Sequence, residues 1–375
     1  MNSQTDLAAM QDFNDSVCAL LEWYRANCRS LPWRGADPYG VWISEIMLQQ
    51  TQVATVIPYY LRFMERFPTV AALAEAPLDD VLKMWAGLGY YARGRNLHRA
   101  SQQICSQYGG VVPDTVEGML ALPGVGEYTA GAVVSIAYGV PAPAIDANVI
   151  RVICRLAGIP GDPAQANTKQ KIREIVLAML PADAAGDFTQ ALMELGALVC
   201  APAEPQCSVC PVLPWCASGQ SASPSALPEY PAGKGTTALT HSCAVLLDAG
   251  KEHVLIVQRP LNGLWGGLWE FPRVVCNSGE NPSEAASRAV QEAIQIPLHP
   301  KRKLATVKHS VTRYRITLHA YIAALSVDQM AAICLAPHLT LKWVPLGAVD
   351  NYAFSSPQAI VRDHLQNHKV QPTLL

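Results

Sequence analysis

Apolar residues recur at helical spacing from early in the chain. Phe13, Val17, Leu20, Leu21 and Tyr24 fall at i, i+4, i+7, i+8 and i+11, one face of a helix that Pro32 cannot continue. The same spacing predicts helices near 41–49, 53–66, 79–86, 93–107, 128–137, 146–156, 168–179 and 187–199, separated by Pro, Gly or Asp and without a clear strand among them. The pattern changes at 217–237, where Ala-Ser-Gly-Gln-Ser-Ala-Ser-Pro-Ser and then Leu-Pro-Glu-Tyr-Pro-Ala-Gly-Lys-Gly read as a linker. Beyond it, Cys243 to Leu247 and Val254 to Val257 flank Asp-Ala-Gly-Lys-Glu and predict a β-hairpin. Residues 313–322 alternate Arg313, Arg315, Thr317 and His319 with Tyr314, Ile316, Leu318 and Ala320, a strand with one basic or polar face. The expected architecture is an all-α domain over 1–216, a linker over 217–240 and a smaller α+β domain over 241–375, with no organising internal repeat.

Composition changes this picture little. Half of the 375 residues are apolar, enough for two cores. No apolar run reaches the roughly 18 to 20 residues of a membrane span, and the polar Met-Asn-Ser-Gln-Thr-Asp start has no targeting pattern, so a cytosolic protein is expected. Eleven cysteines, an odd number spread over both halves, argue against a disulfide framework. The net charge of −2 gives no global field for nucleic acid; residues 1–220 hold 14 Lys and Arg against 20 acids, and the remainder 14 against 10. Any DNA contact must therefore come from local patches and dipoles.

Two motifs carry chemistry. Leu122-Pro-Gly-Val-Gly-Glu-Tyr-Thr-Ala-Gly opens a helix through a tight turn at Gly124 and Gly126, with an aspartate, Asp146, about twenty residues on. Bare backbone amides and a helix N-terminus make such a turn an anion site. Cys200, Cys207, Cys210 and Cys216 follow the spacing C-x6-C-x2-C-x5-C among prolines 202, 205, 211 and 214. Four clustered thiols in a proline-rich loop point to a thiolate site for zinc or an iron-sulfur group. Together the hairpin and the cysteine spacing resemble the helix-hairpin-helix DNA glycosylases of the endonuclease III superfamily, whose loop of this spacing holds a [4Fe-4S] cluster.

Within that superfamily, Val41-Trp-Ile-Ser-Glu-Ile-Met-Leu-Gln-Gln-Thr51, Gly87-Leu-Gly-Tyr-Tyr-Ala-Arg93, Leu31-Pro-Trp-Arg34 and Glu194-Leu-Gly-Ala-Leu-Val-Cys200 resemble the MutY family of adenine DNA glycosylases over nearly the whole chain. The resemblance implies a monomer that removes adenine opposite 8-oxoguanine or guanine in duplex DNA. Tyr128 stands where lyase-active relatives carry a lysine, and a phenol forms no Schiff base, so a monofunctional enzyme is expected. Cleaving the glycosidic bond needs an acid at a ring nitrogen and an anion near the sugar cation. Glu45, in an apolar segment, suits the acid, and Asp146 the anion, with Tyr128 and Asn148 as supports. The resemblance also implies that Gln190 reads the flipped base edge, that Arg29 meets a ring nitrogen, and that Gln50, Thr51, Leu88 and Tyr90 probe the lesion strand, Tyr90 as a wedge. Arg93, Arg95 and Arg99 are candidate phosphate contacts.

From about residue 241 the chain resembles a Nudix fold. Glu280, Arg288, Val290, Glu292 and Ile296 match its box, whereas Val274, Ala289, Ala293 and Gln295 depart. Two alanines in place of clustered glutamates remove most of the Mg2+ ligands, so the fold is expected without pyrophosphate hydrolysis. In MutY proteins this domain recognises 8-oxoguanine, often through Phe-Ser-His; here Val311-Thr312-Arg313 stands at the equivalent place, and Thr312 and Arg313 are the expected lesion contacts. Lys301, Arg302, Lys303, Lys308 and Arg315 supply a basic patch.

Overall fold

The computed structural model describes residues 3–369 apart from 222, 232–234, 262–264, 312 and 335–338, with side chains described from 13 to 367. By packing, the chain divides into one unit of Met1–Glu75 and Asn96–Gly233 and a second of Ala76–Arg95 and Lys234–Leu375. Up to residue 200 the described elements are helices: α1 (Ser3–Asn27), α2 (Pro38–Leu48), α3 (Val53–Arg66), α4 (Val70–Glu75), α5 (Leu78–Trp85), α6 (Ala92–Gln107), α7 (Val116–Leu120), α8 (Glu127–Tyr138), α9 (Ala147–Leu156), α10 (Ala166–Met179) and α11 (Ala185–Leu198).

In the first unit, α2 starts three residues earlier than its apolar run because Asp37 caps it, accepting from Gly40 N at 2.8 Å, and Pro38 fits the first turn. Tyr39 to Met47 are all buried, so α2 has no wet face and Glu45 is carried inside. Its neighbour α8 runs from the N-cap Gly126 to Gly139, whose φ of 69° closes the helix in the left-handed region. Helix α9 begins at Asp146 and packs on α11. That approach is close: a Cβ on Gly196 would lie 2.6 Å from Asn148 Cβ. Leu20, Val152, Ile153, Ile172, Val176, Phe188 and Leu195 form the core joining α1, α9, α10 and α11.

In the second unit, residues 76–95 are held by their own partners. Gln258 Nε2 donates to Asp79 Oδ1 at 3.2 Å, and Arg95 Nη1 donates to the Gly266 carbonyl at 2.5 Å. This segment lies within the stretch read from sequence as one helical domain; its packing puts it with the C-terminal residues. The sheet comprises β1 (Thr237–Leu247), β2 (His253–Gln258), β3 (Trp269–Glu270), β4 (Arg273–Val275), β5 (Arg302–Val311), β6 (Tyr314–Ala324) and β7 (Thr340–Pro345). The order is β3-β2-β1-β6-β5, with β4 on β1 and β7 on β2. The expected hairpin is β1 and β2, antiparallel through Leu247 and Val254, while β1 and β6 run parallel. Among the described residues after 234 the α-helices are α12 (Pro282–Ile294), α13 (Val327–Ala331) and α14 (Ser356–Lys369). Ala244 and Leu246 share a core with Val290 and Ile294 of α12, whereas Cys243, Val245 and Leu247 share one with Val361 and Leu365 of α14. Covering both faces is why the Cys243–Leu247 part of β1 reads as a continuous apolar run.

Candidate active site

A pocket of about 760 Å3 opens in the first unit, with Glu45, Tyr128, Asp146, Asn148, Gln190 and Glu194 among the residues lining it. Glu45 comes from the buried helix α2, and Tyr128, on the first turn of α8, donates from its hydroxyl to Glu45 Oε2 at 2.5 Å. Burial pushes the Glu45 carboxyl up to about 7; the Tyr128 hydrogen bond opposes this and the Asp146 charge adds to it. Such a carboxyl can surrender a proton near neutral pH. Burial, with Glu45 next, holds the Tyr128 phenol well above its ordinary range, so it stays a donor.

Asp146 caps α9: Oδ1 accepts from Val149 N at 2.7 Å, and Oδ2 accepts from Asn148 Nδ2 at 2.8 Å. Burial raises its carboxyl above the usual range, while these donors and Arg151 act against the shift. Arg151, which was not singled out in the sequence, is 9% exposed and donates from Nη2 to Asn148 Oδ1 at 2.8 Å and to the Gly196 carbonyl. It fixes Asn148, which in turn orients Asp146. The cap and the pocket carboxylate are the same group.

At the far wall Arg29 donates to both oxygens of Glu194, at 2.8 and 3.2 Å, and Arg34 pairs with the same carboxylate. Arg34 also donates to Tyr24 Oη at 2.7 Å and to Gln190 Oε1 at 2.6 Å, while Gln190 Nε2 donates to the Gly186 carbonyl. Arg34 and Glu194 stood in quoted motifs without a role; their partners lie about 160 positions away, beyond any local signal.

Other expected site residues scatter. Gln50 and Thr51 line the pocket, Gln50 with a φ of 55°. In the second unit Tyr90 is 44% exposed at φ 46°, whereas Leu88 is 5% exposed. Arg93, expected to face phosphate, is turned inward: it donates to the Leu88 and Gly89 carbonyls and lies over the Trp85 and Tyr90 rings. The turn at Gly124 is less bare than expected. Val125 N donates to the Leu122 carbonyl, and Gly124, at φ 78°, is needed because a Cβ would strike Asn96 at 2.6 Å. Gly126 has ordinary φ and open space around it. Thr312 lies outside the described residues. Arg313 is exposed and stacks on Tyr314, and Lys308 and Arg315 share one face of β5 and β6.

The four cysteines line one small cavity of about 30 Å3 together with Arg155. Arg155 Nη1 donates to Cys200 Sγ at 3.4 Å, Gly219 N donates to Cys216 Sγ at 3.3 Å, and Arg155 also holds the carbonyls of Ala201, Pro202 and Leu227. Burial raises the Cys210 thiol to about 11 and Cys216 in the same direction, with Cys200 and Cys207 adding to both. Among the described residues no group of three or more His, Cys, Asp or Glu is arranged to hold a metal ion. No described helix is long and apolar enough to cross a membrane. In the second unit Ala289 and Ala293 are buried in apolar clusters and Gln295 sits at φ 58°, so the positions that depart from the Nudix box are packing and capping positions.

Residues 43–177 match the HhH-GPD superfamily of base excision DNA repair proteins, and residues 243–363 match the NUDIX domain. The expected fold class, a helical glycosylase domain followed by a Nudix-like α+β domain, is thereby met. The chain is 36% identical to the adenine DNA glycosylase of Rattus norvegicus over 86% of its own length and 73% of that protein. It is 34% identical to that of Mus musculus over 97% of its length and 80% of the relative. A solved thermostable thymine-DNA glycosylase superposes with a TM-score of 0.52 at 30% identity, over 56% of this chain and 97% of that one.

Proposed function

This chain belongs to the adenine DNA glycosylases, and on that premise we propose that it excises adenine mispaired with 8-oxoguanine or guanine in duplex DNA, as a monomer, through the pocket around Glu45 and Asp146. The observation that carries the reading is one buried carboxyl raised to about 7 in the same pocket as a second carboxylate fixed by a helix cap. A flipped adenine enters, and protonated Glu45 gives its proton to a ring nitrogen, N7. The C1′–N9 bond breaks with its electron pair leaving on adenine, and Asp146, held by Val149 N and Asn148, stabilises the sugar cation until water adds to C1′ and loses a proton. Tyr128 keeps Glu45 in place and supplies no amine, so the abasic product stays uncut.

For the loop after α11 we infer a [4Fe-4S] cluster held by Cys200, Cys207, Cys210 and Cys216. Four sulfurs around one cavity, two of them receiving N–H donors, suit thiolate ligands, and the group would cross-link the loop. Purified protein is expected to carry iron and visible absorbance; colourless, iron-free protein would overturn this. Exposed Arg313, with Thr312 and the Lys308 and Arg315 face, is the proposed lesion-side contact of the second unit. The proposed place of action is the cytoplasm, at the nucleoid in a bacterium.

The test is to incubate matched duplexes containing oxoG:A, G:A or G:T and assay free base and strand breaks before and after alkali. Free adenine with breaks only after alkali supports the proposal. Free thymine, breaks without alkali, or no base at all contradicts it.

A further inference from the structure

Gln190 presents an amide whose two ends read opposite chemistry, and something must decide which end faces which atom of the base. The neighbour is Arg34, 18% exposed at its side chain, whose guanidinium is anchored on several sides. Nε donates to the Arg29 carbonyl at 3.0 Å, Nη1 to Tyr24 Oη at 2.7 Å, and Nη2 pairs with the Glu194 carboxylate, itself 4% exposed. Nη1 also reaches Gln190 Oε1 at 2.6 Å. A guanidinium only donates, so the atom facing it must be the carbonyl oxygen. Flipping the amide would set its N–H groups against N–H groups and leave buried donors unpaired.

We propose that Arg34 is a positioning residue that locks the Gln190 amide in the orientation selecting a 6-amino purine over a 6-keto purine. This rests on the reading that the pocket receives a flipped purine. Gln190 Nε2 uses one of its two N–H groups on the Gly186 carbonyl. The other serves N1 of adenine, an acceptor, while the spare lone pair of Oε1 accepts from the 6-amino group, which leaves N7 to Glu45. In hypoxanthine or guanine the same edge carries N1–H and O6, so donor meets donor and acceptor meets acceptor. An amide free to rotate would relieve that clash. Discrimination therefore depends on Arg34 forbidding the rotation, as well as on Gln190 being present.

The experiment measures single-turnover release of adenine and of hypoxanthine from duplexes identical except for that base, placed opposite 8-oxoguanine, for the wild type, Arg34→Lys and Arg34→Met. Intrinsic leaving ability and pairing strength are common to all proteins and cancel when ratios are compared. Arg34→Met is expected to lower the adenine-to-hypoxanthine ratio about tenfold or more, the size of one base-edge contact. Arg34→Lys, still a pure donor, keeps most of it. Should melting show Arg34→Met unfolded, Arg34→Gln, which offers an acceptor as well as a donor, is expected to lower the ratio instead. A structural role alone would depress both rates alike. An unchanged ratio in a folded Met or Gln variant, or equal loss in Lys and Met, overturns the proposal while leaving adenine excision standing. A wild type that releases no adenine overturns both.

Discussion

Glu45 shows how burial makes an acid. Its carboxyl lies on the buried stretch Tyr39–Met47 of α2 and is pushed up to about 7 by that burial, so the folded chain holds a proton that the unfolded chain, with its ordinary carboxyl, releases between pH 4.5 and about 7. Stability therefore falls as pH rises through that window. Gln at this position cannot ionise, and Glu45→Gln is expected to be more stable than the wild type at pH 8 by on the order of 3 kcal/mol, with little gain at pH 4. Urea unfolding at the two pH values checks this. The same variant is expected to lose base release by about 10²- to 10⁴-fold while duplex affinity survives. Tyr128→Phe acts in the opposite sense on the proton: its hydroxyl lowers the Glu45 pKa, so removing it moves the alkaline limb of activity to higher pH. A limb that stays put, measured by base release against pH, would contradict the role given to that hydrogen bond.

At the scale of elements, the site depends on how closely α9 and α11 meet. Gly196→Ala places a methyl 2.6 Å from Asn148 Cβ, and the expected result is about 1 to 3 kcal/mol of destabilisation together with reduced kcat, because the strain falls on the residue that orients Asp146. Thermal melting and single-turnover rates read the two effects separately. Most of the helices were legible in the sequence because each carries several turns of apolar spacing. The short α4, α7 and α13 were not, having too few turns to show a period, and α12 and α14 of the second unit were not singled out either. Strand β5, Arg302–Val311, reads as a basic patch because its exposed positions carry Arg302, Lys303 and Lys308. Asp146 and Glu45 were legible only through resemblance to a family. The Arg34, Glu194 and Gln190 network is tertiary, and no local spacing announces an ion pair between residues about 160 positions apart; Arg151 meets Asn148 at i,i+3 on α9, but its anchors on the Gly196 and Cys200 carbonyls are tertiary.

For the whole molecule, the two packing units are not two consecutive pieces of chain. Ala76–Arg95 belongs with the residues after 233 through Asp79 and Arg95, although its helical spacing reads from the sequence as part of the helical domain. A protein truncated after Gly233 is therefore expected to melt at lower temperature and to bind a hydrophobic dye, since Leu82 and Trp85 lose the rest of their unit. A truncated protein as stable as the full chain would contradict this. The central claim, that one buried acid and one capped carboxylate remove adenine, is tested most directly by the pH dependence of single-turnover adenine release from an oxoG:A duplex. Release should decline above pH about 7 as Glu45 ionises, and decline again in acid as Asp146 takes up a proton, with Glu45→Gln slower by about 10²- to 10⁴-fold at neutral pH. A rate independent of pH between 6 and 9, or near-normal release by Glu45→Gln, would contradict it.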